Sequence, residues 1–289
     1  MGAEPDSVSV RLYLDDVAPE EVLRRWHAAV ADVLLTASLP EGWGRPRPQV
    51  RKHQSIWYFE QAEPLVEYNV GTSLASGPLT MRAWSTFPPE REDAVLAAAV
   101  ELVRVVAGVV DVGYGQVEFS GPPGPKTGLV AGLNRDPELA REPARTALRG
   151  YDWVTVVPPE LVARLGGAGV LRDSGAFHRV EGLAHGGVLA QATESPRAFD
   201  RNAARAVAGV LRPVFAAVRT AGSWGVEVTG DVAGMVRQWR LEGYSYSGLA
   251  RVAGRVLGVD AGADVQFGMA LCRESAAVLG EDADDRPWN

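Results

Sequence analysis

Val8-Ser-Val-Arg-Leu-Tyr-Leu14 alternates, and that alternation decides the fold class. Val8, Val10, Leu12 and Leu14 share one face of an extended run, with Ser9, Arg11 and Tyr13 on the other. A period of two places an apolar set against a core and a polar set away from it. A helix pattern follows. Pro19 suits the first turn, Glu20 and Glu21 complement the positive end of the helix dipole, and Val22, Trp26, Ala29, Val30 and Val33 recur at helical spacing. Strand-like runs come next at Ser55–Glu60, Val66–Val70 and Leu79–Phe87, closed by Pro88 and Pro89. A long helix opens at Glu90, with Val95, Ala98, Ala99, Leu102 and Val106 on one stripe, and Val109–Phe119 is extended again. This order predicts an α+β fold: an antiparallel sheet with helices on one face, in a ferredoxin-like, split βαβ layer.

Beyond Ser120 the chain changes character. Residues 121–133 are rich in Gly and Pro and read as a linker between an N-terminal α+β domain, 1–120, and a second one, 134–220. In the second domain Asn134–Leu148 reads as a helix and Tyr151–Val157 as a strand. Short helices follow at Glu160–Leu165 and Ala168–Asp173. Phe177–Leu183 and Val188–Thr193 form a hairpin, and a last helix runs from Asp200 to Val218 with a kink at Pro213. The expectation is a second antiparallel layer of the same kind. Residues 221–289 read as an all-helical C-terminal extension, with Asp231, Ser245 and Asp264 as the three caps.

Composition excludes several classes. The chain has 289 residues, 46% of them apolar, so it can bury a sizeable core. Its net charge of −7 disfavours general binding to phosphate backbones. One cysteine, Cys272, is too few for a disulfide framework or a multi-cysteine metal site. Met1 to Asp6 has no basic start or apolar stretch, and no run of 18 apolar residues occurs, so the expectation is a cytoplasmic protein without a membrane partner. Lysine occurs only at Lys52 and Lys126; this Arg, Ala and Gly bias fits a high-GC bacterial genome.

No motif carries catalytic chemistry. Gly121-Pro-Pro-Gly-Pro-Lys-Thr127 has Pro125 where a phosphate loop needs a glycine, and its spacing is one residue short. His27, His53, His178 and His185 make no metal-binding pair on a helix turn. Gly243-Tyr-Ser-Tyr-Ser-Gly248 is no nucleophile elbow, and Ser245 is better read as a cap. Cys272 reads as a buried, inert thiol beside Leu271. The expectation is a non-enzyme with no catalytic residue, cofactor or metal. Residues 231–280 resemble a helix-turn-helix, with Arg237, Arg240, Arg251 and Arg255 nearby. The third helix, Asp264–Leu279, offers only Arg273 against Asp264 and Glu274, so nucleic acid is disfavoured.

Four passages carry a resemblance to a known family: Leu102–Phe119; Leu148-Arg-Gly-Tyr-Asp-Trp-Val-Thr-Val156 with Pro159-Glu-Leu-Val-Ala-Arg-Leu-Gly-Gly167; the hairpin Val180-Glu-Gly-Leu-Ala-His-Gly-Gly-Val-Leu-Ala-Gln191; and Asp200 with Asn202 opening a helix that ends Val210-Leu-Arg-Pro213. Over residues 95–218 the chain resembles the type VI secretion immunity-protein family, the TsiV-like group. Gln266-Phe-Gly-Met-Ala-Leu-Cys272 and the closing Pro-Trp-Asn look like the tail of uncharacterised actinobacterial proteins. The resemblance implies a non-catalytic protein that sequesters a partner, a toxic effector. Two readings stand beside it: an enzyme or small-molecule binder with an inter-domain site, and a DNA-associated regulator using 231–280. The partner-binding candidates are Trp43, in a Gly- and Arg-rich loop, and the acidic tail Glu281, Asp282, Asp284 and Asp285 with its aromatic anchor Trp288. Such a tail would speed the encounter with a basic toxin.

Overall fold

The structure, a computed structural model, describes residues 6–15, 19–38, 51–53, 56–61, 66–72, 78–120, 143–215 and 220–281. The described residues up to 120, together with 143–215, belong to one compact unit, and residues 220–281 belong to another.

The first unit is built on an antiparallel sheet of nine strands: β1 Ser7–Leu14, β2 Arg51–His53, β3 Ile56–Gln61, β4 Val66–Thr72, β5 Leu79–Thr86, β6 Tyr114–Ser120, β7 Val154–Val157, β8 Arg179–Gly182 and β9 Val188–Gln191. Their order is β2-β3-β4-β5-β1-β6-β7-β9-β8. The α+β class, the antiparallel pairing and the helical C-terminal region are as the sequence predicts. The two expected layers, 1–120 and 134–220, differ from this, because they share one sheet: β6 pairs with β7, Gly115 opposite Val156 and Val117 opposite Val154. The edge that each layer would have exposed is satisfied by the other. Gly115 permits this junction, since a Cβ there would overlap Leu12 Cδ2 and crowd Val156 Cγ2 at 3.3 Å.

One face of the sheet carries the core. Val8, Val10, Leu12 and Leu14 are at most 1% exposed. Helix α1, Pro19–Ala29, runs on through a π-helical stretch, Val30–Leu35, and a last turn, Thr36–Ser38. Its buried Val22, Trp26, Val30 and Leu34 join the apolar stripe of helix α2, Glu92–Ala107, where Val95, Ala99, Leu102 and Val106 are buried. Ser38 Oγ lies 3.1 Å from Ser85 Oγ on β5, which fixes this as the helix side of the sheet. Arg104 on α2 donates two hydrogen bonds of 2.8 Å to the carboxylate of Glu181 on β8, and so ties the same helix to the far end of the sheet.

The second half adds short helices: α3 Pro159–Arg164, α4 Ala168–Asp173 and α5 Arg201–Leu211. Asp200 caps α5 by accepting from the Ala203 N–H at 2.9 Å. The helix ends at Leu211, and Arg212–Val214 forms a 3-10 turn around Pro213, which accounts for the shorter element. The helix expected to end at Leu148 is absent from its described part, 143–148. There the backbone is recruited elsewhere: Ala144 N–H donates to Asp15 Oδ1 at 2.8 Å, and Leu148 N–H to the Val214 carbonyl at 2.7 Å.

The second unit packs three helices: α6 Gly230–Leu241, α7 Tyr246–Leu257 and α8 Val265–Leu279. Ser245 and Asp264 cap α7 and α8 as expected, accepting from Gly248 and Gln266 N–H groups at 3.2 and 2.8 Å. The first cap is Thr229 rather than Asp231; it accepts from the Val232 N–H, and the helix starts one residue before Asp231. Helix α8 is the central one. Phe267, Gly268, Ala270, Leu271, Cys272, Ser275 and Ala276 are all buried. Gly268 has the backbone of Tyr246 against it, so that a Cβ would collide with the Tyr246 carbonyl.

Candidate functional site

The face of the sheet opposite α1 and α2 is polar at its centre. Strand alternation puts Ser9, Arg11 and Tyr13 there, and register brings three rows together. Thr80, Tyr13 and Tyr114 form one row across β5, β1 and β6. Arg82, Arg11 and Gln116 form the next, continued by Thr155 on β7. Trp84, Ser9 and Glu118 form the third. Side chains directly opposite on antiparallel strands have Cβ atoms about 4.5–5.5 Å apart.

The aromatic row is well made. Tyr13 and Tyr114 stack with centroids 5.3 Å apart. The guanidinium of Arg149, a residue only 2% exposed, lies 5.6 Å from the Tyr13 centroid. The Tyr114 hydroxyl donates to Gln116 Oε1 at 2.6 Å. Burial pushes the Tyr114 phenol well above its ordinary range, with Tyr13 and Asp152 adding to the shift and Arg11 and Arg149 opposing it.

The central row is not well made. The buried Gln116 Nε2 and Arg82 Nε have no hydrogen-bond partner, and neither do the buried Ser9 Oγ and Thr80 Oγ1 in the flanking rows. Tyr114 occupies the amide oxygen of Gln116, which leaves its NH2 to donate. Arg11 and Arg82 are directly opposite, a like-charge pair that an antiparallel sheet ordinarily avoids. The contact of Arg11 with Glu118 is long, at 3.9 Å.

Asp152 borders this cluster at the entrance to β7. Its carboxylate accepts from the Trp153 N–H at 2.7 Å, and its own N–H donates to Thr155 Oγ1 at 3.1 Å. Burial of the carboxyl, reinforced by the charge of Glu118, raises its pKa well above the usual carboxylate range; the Trp153 hydrogen bond and Arg11 pull the other way. The arrangement sets unpaired buried donors beside two opposed cations and a buried aromatic pair.

A second ionic cluster is structural. Arg145 bridges Asp15, Asp111 and Glu160 at 3.3, 3.1 and 2.9 Å, and so pins residues 143–146 against the sheet ends. Among the described residues no group of three or more His, Cys, Asp and Glu side chains could hold a metal ion. No described helix is long and apolar enough to cross a membrane.

Of the sequence candidates, Trp43, Asp282, Asp284, Asp285 and Trp288 lie outside the described residues. So does the glycine- and proline-rich stretch 121–133. Glu281 is described: its carboxylate pairs with Arg237 at 2.9 Å, and its N–H donates to the Ala276 carbonyl at 2.9 Å, closing the end of α8. Cys272 is buried, and burial pushes its thiol up to about 12, as an inert thiol requires. Trp153, inside the family-like segment, is buried with its indole N–H on the Thr193 carbonyl at 2.9 Å, a packing role. Sequence reasoning misses the cluster of rows, because Arg11, Arg82 and Gln116 come from three separate strands and only register joins them. The alternation of Ser9, Arg11 and Tyr13 is the available signal.

Fold and site together define an α+β protein with one antiparallel sheet, α1 and α2 on one face and a polar, arginine- and aromatic-bearing centre on the other. No protein-family model matches the chain. No curated protein matches it either. Among solved structures, the chain is similar to a T6SS protein of Pseudomonas aeruginosa, with 12% identity and a TM-score of 0.49, covering 73% of this chain and 73% of that one.

Proposed function

We propose that this protein is a non-catalytic, immunity-like binding protein that holds a partner protein, a toxic effector, on the second face of its sheet. The observation that supports this most is the content of that face. Trp84, Arg11 and Arg82, each partly exposed, are of the residue types that dominate protein interfaces, and they sit on neighbouring positions of β1 and β5. Around them are buried donors that the fold leaves unpaired. The acidic tail Glu281, Asp282, Asp284 and Asp285 with Trp288, and Trp43, are proposed as further contacts. Glu281 would have to exchange Arg237 for the partner, so its share is small.

Co-expression with the product of an adjacent toxin-like gene tests the reading. The expected result is a complex and rescued growth, with Trp84→Ala and Arg11→Glu each weakening the complex at least about tenfold, the loss of one interface hot spot. No complex and no rescue would contradict it. A small-molecule reading is favoured by the same unpaired donors, since polar groups that converge in a partly buried place are how ligand sites orient what they hold.

A further inference from the structure

The row Arg82–Arg11–Gln116 is chemically incomplete in a specific way. Its three members are cross-strand neighbours on one face. Arg82 Nε and Gln116 Nε2 are buried donors with no acceptor, and Gln116 is only 1% exposed. Ser9 Oγ, one step along β1 and on a residue 7% exposed, is buried and unpaired too. Thr80 Oγ1, one step along β5, completes the set. Guanidinium and amide N–H groups only donate, so the row is unsuited to chelating a cation.

The complement of such a row is an oxyanion. A carboxylate or phosphate group between Arg11 and Arg82 would accept from both guanidinium groups and from the Gln116 amide, and would remove the like-charge opposition. Two features of the surroundings favour a negative guest. Tyr114 holds the amide oxygen of Gln116, so the NH2 is the end left to meet a ligand. Arg149 adds a third guanidinium beside Tyr13. Glu118, whose carboxylate lies 3.9 Å from Arg11, opposes a negative guest and would have to give way to it.

We infer that Arg82, Arg11 and Gln116, with Ser9 and Thr80 at the margins, form a binding site for one oxyanion group, a carboxylate or a phosphate. The site shares Arg11 and Arg82 with the face of the immunity-like reading, but a free anion would occupy it whether or not a protein partner exists.

The test is thermal unfolding of the full chain at constant ionic strength, with inorganic phosphate in one arm and a hexaglutamate peptide in the other. A ligand of the folded state raises Tm in a saturating manner. The expected result is a saturable rise in at least one arm, lost in Arg82→Gln and in Arg11→Gln. A rise with phosphate alone assigns the site to free anions, and a rise with the peptide alone assigns it to a carboxylate carried by a polypeptide. The variant Arg82→Glu supplies the missing carboxylate from within; it should melt about 2–4 °C above the unmodified protein and should ignore both probes. No saturable rise in either arm overturns the inference. So does a rise that survives both glutamine variants, or an Arg82→Glu protein that melts lower than the unmodified one.

Discussion

The two faces of β1 belong to one strand and obey different rules. Val8, Val10, Leu12 and Leu14 are closed against α1 and α2, where the hydroxyl of Ser85 finds Ser38 and the indole N–H of Trp26 is a buried donor left without a partner. Ser9, Arg11 and Tyr13 look the other way, into a set of buried donors without acceptors. An unmade hydrogen bond at a buried group costs about 1–3 kcal/mol. The contrast teaches that the first face is organised for stability, while the second keeps groups that stability alone would replace. Residues retained against the interest of the fold are expected where a protein does its work.

The largest effect belongs to the apolar face. Leu12→Ala should cost about 2–5 kcal/mol in chemical denaturation, since Leu12 is fully buried and Gly115 opposite it has no side chain to fill the space. A loss below about 1 kcal/mol would blur the distinction between the faces. The helical unit offers a matching control. Gly268→Ala should cost about 1–3 kcal/mol, because the new methyl meets the Tyr246 backbone rather than a movable side chain; denaturation followed by helical circular dichroism measures it.

A smaller effect sharpens the comparison from the polar side. The folded pKa of Asp152 lies above its unfolded value, so the folded state holds the proton more tightly. Stability from this group is fully present below the unfolded pKa, about 3.9, and is lost as pH rises through the folded one. Asp152→Asn removes that loss. Its Tm should therefore gain on the unmodified protein as pH rises from about 4 toward neutrality. A difference in Tm that stays constant across that range would show that Asp152 does not titrate in this way.

Much of the fold is legible in the sequence. The alternation of Val8–Leu14, the stripe Val95–Val106 and the caps Ser245 and Asp264 are local signals, and local chemistry decides them. The union of two expected layers into one sheet is not legible, because Gly115 and Val156 are brought opposite by tertiary pairing alone. The helix expected to end at Leu148 fails for a related reason. Asp15, Val214 and the Arg145 ion pairs claim the backbone and side chains of 143–148 from far along the chain. The candidate site is the extreme case. Ser9, Arg11 and Tyr13 announce a polar face, but their partners Arg82, Gln116 and Tyr114 have no sequence pattern that points back to them. The acidic tail, by contrast, is conspicuous as composition, and its one described member, Glu281, is engaged with Arg237.

If the second face is kept for recognition and not for stability, removing its unpaired groups should leave the fold as stable as before. The most direct measurement is the melting temperature of the triple variant Ser9→Ala, Thr80→Val, Arg82→Leu, which removes three unpaired buried groups while retaining most of the volume. The expected Tm is equal to or above that of the unmodified protein, with binding to the partner lost. A triple variant that melts about 4 °C lower or more, the mark of a loss of at least about 1 kcal/mol, would show instead that these groups hold the fold together.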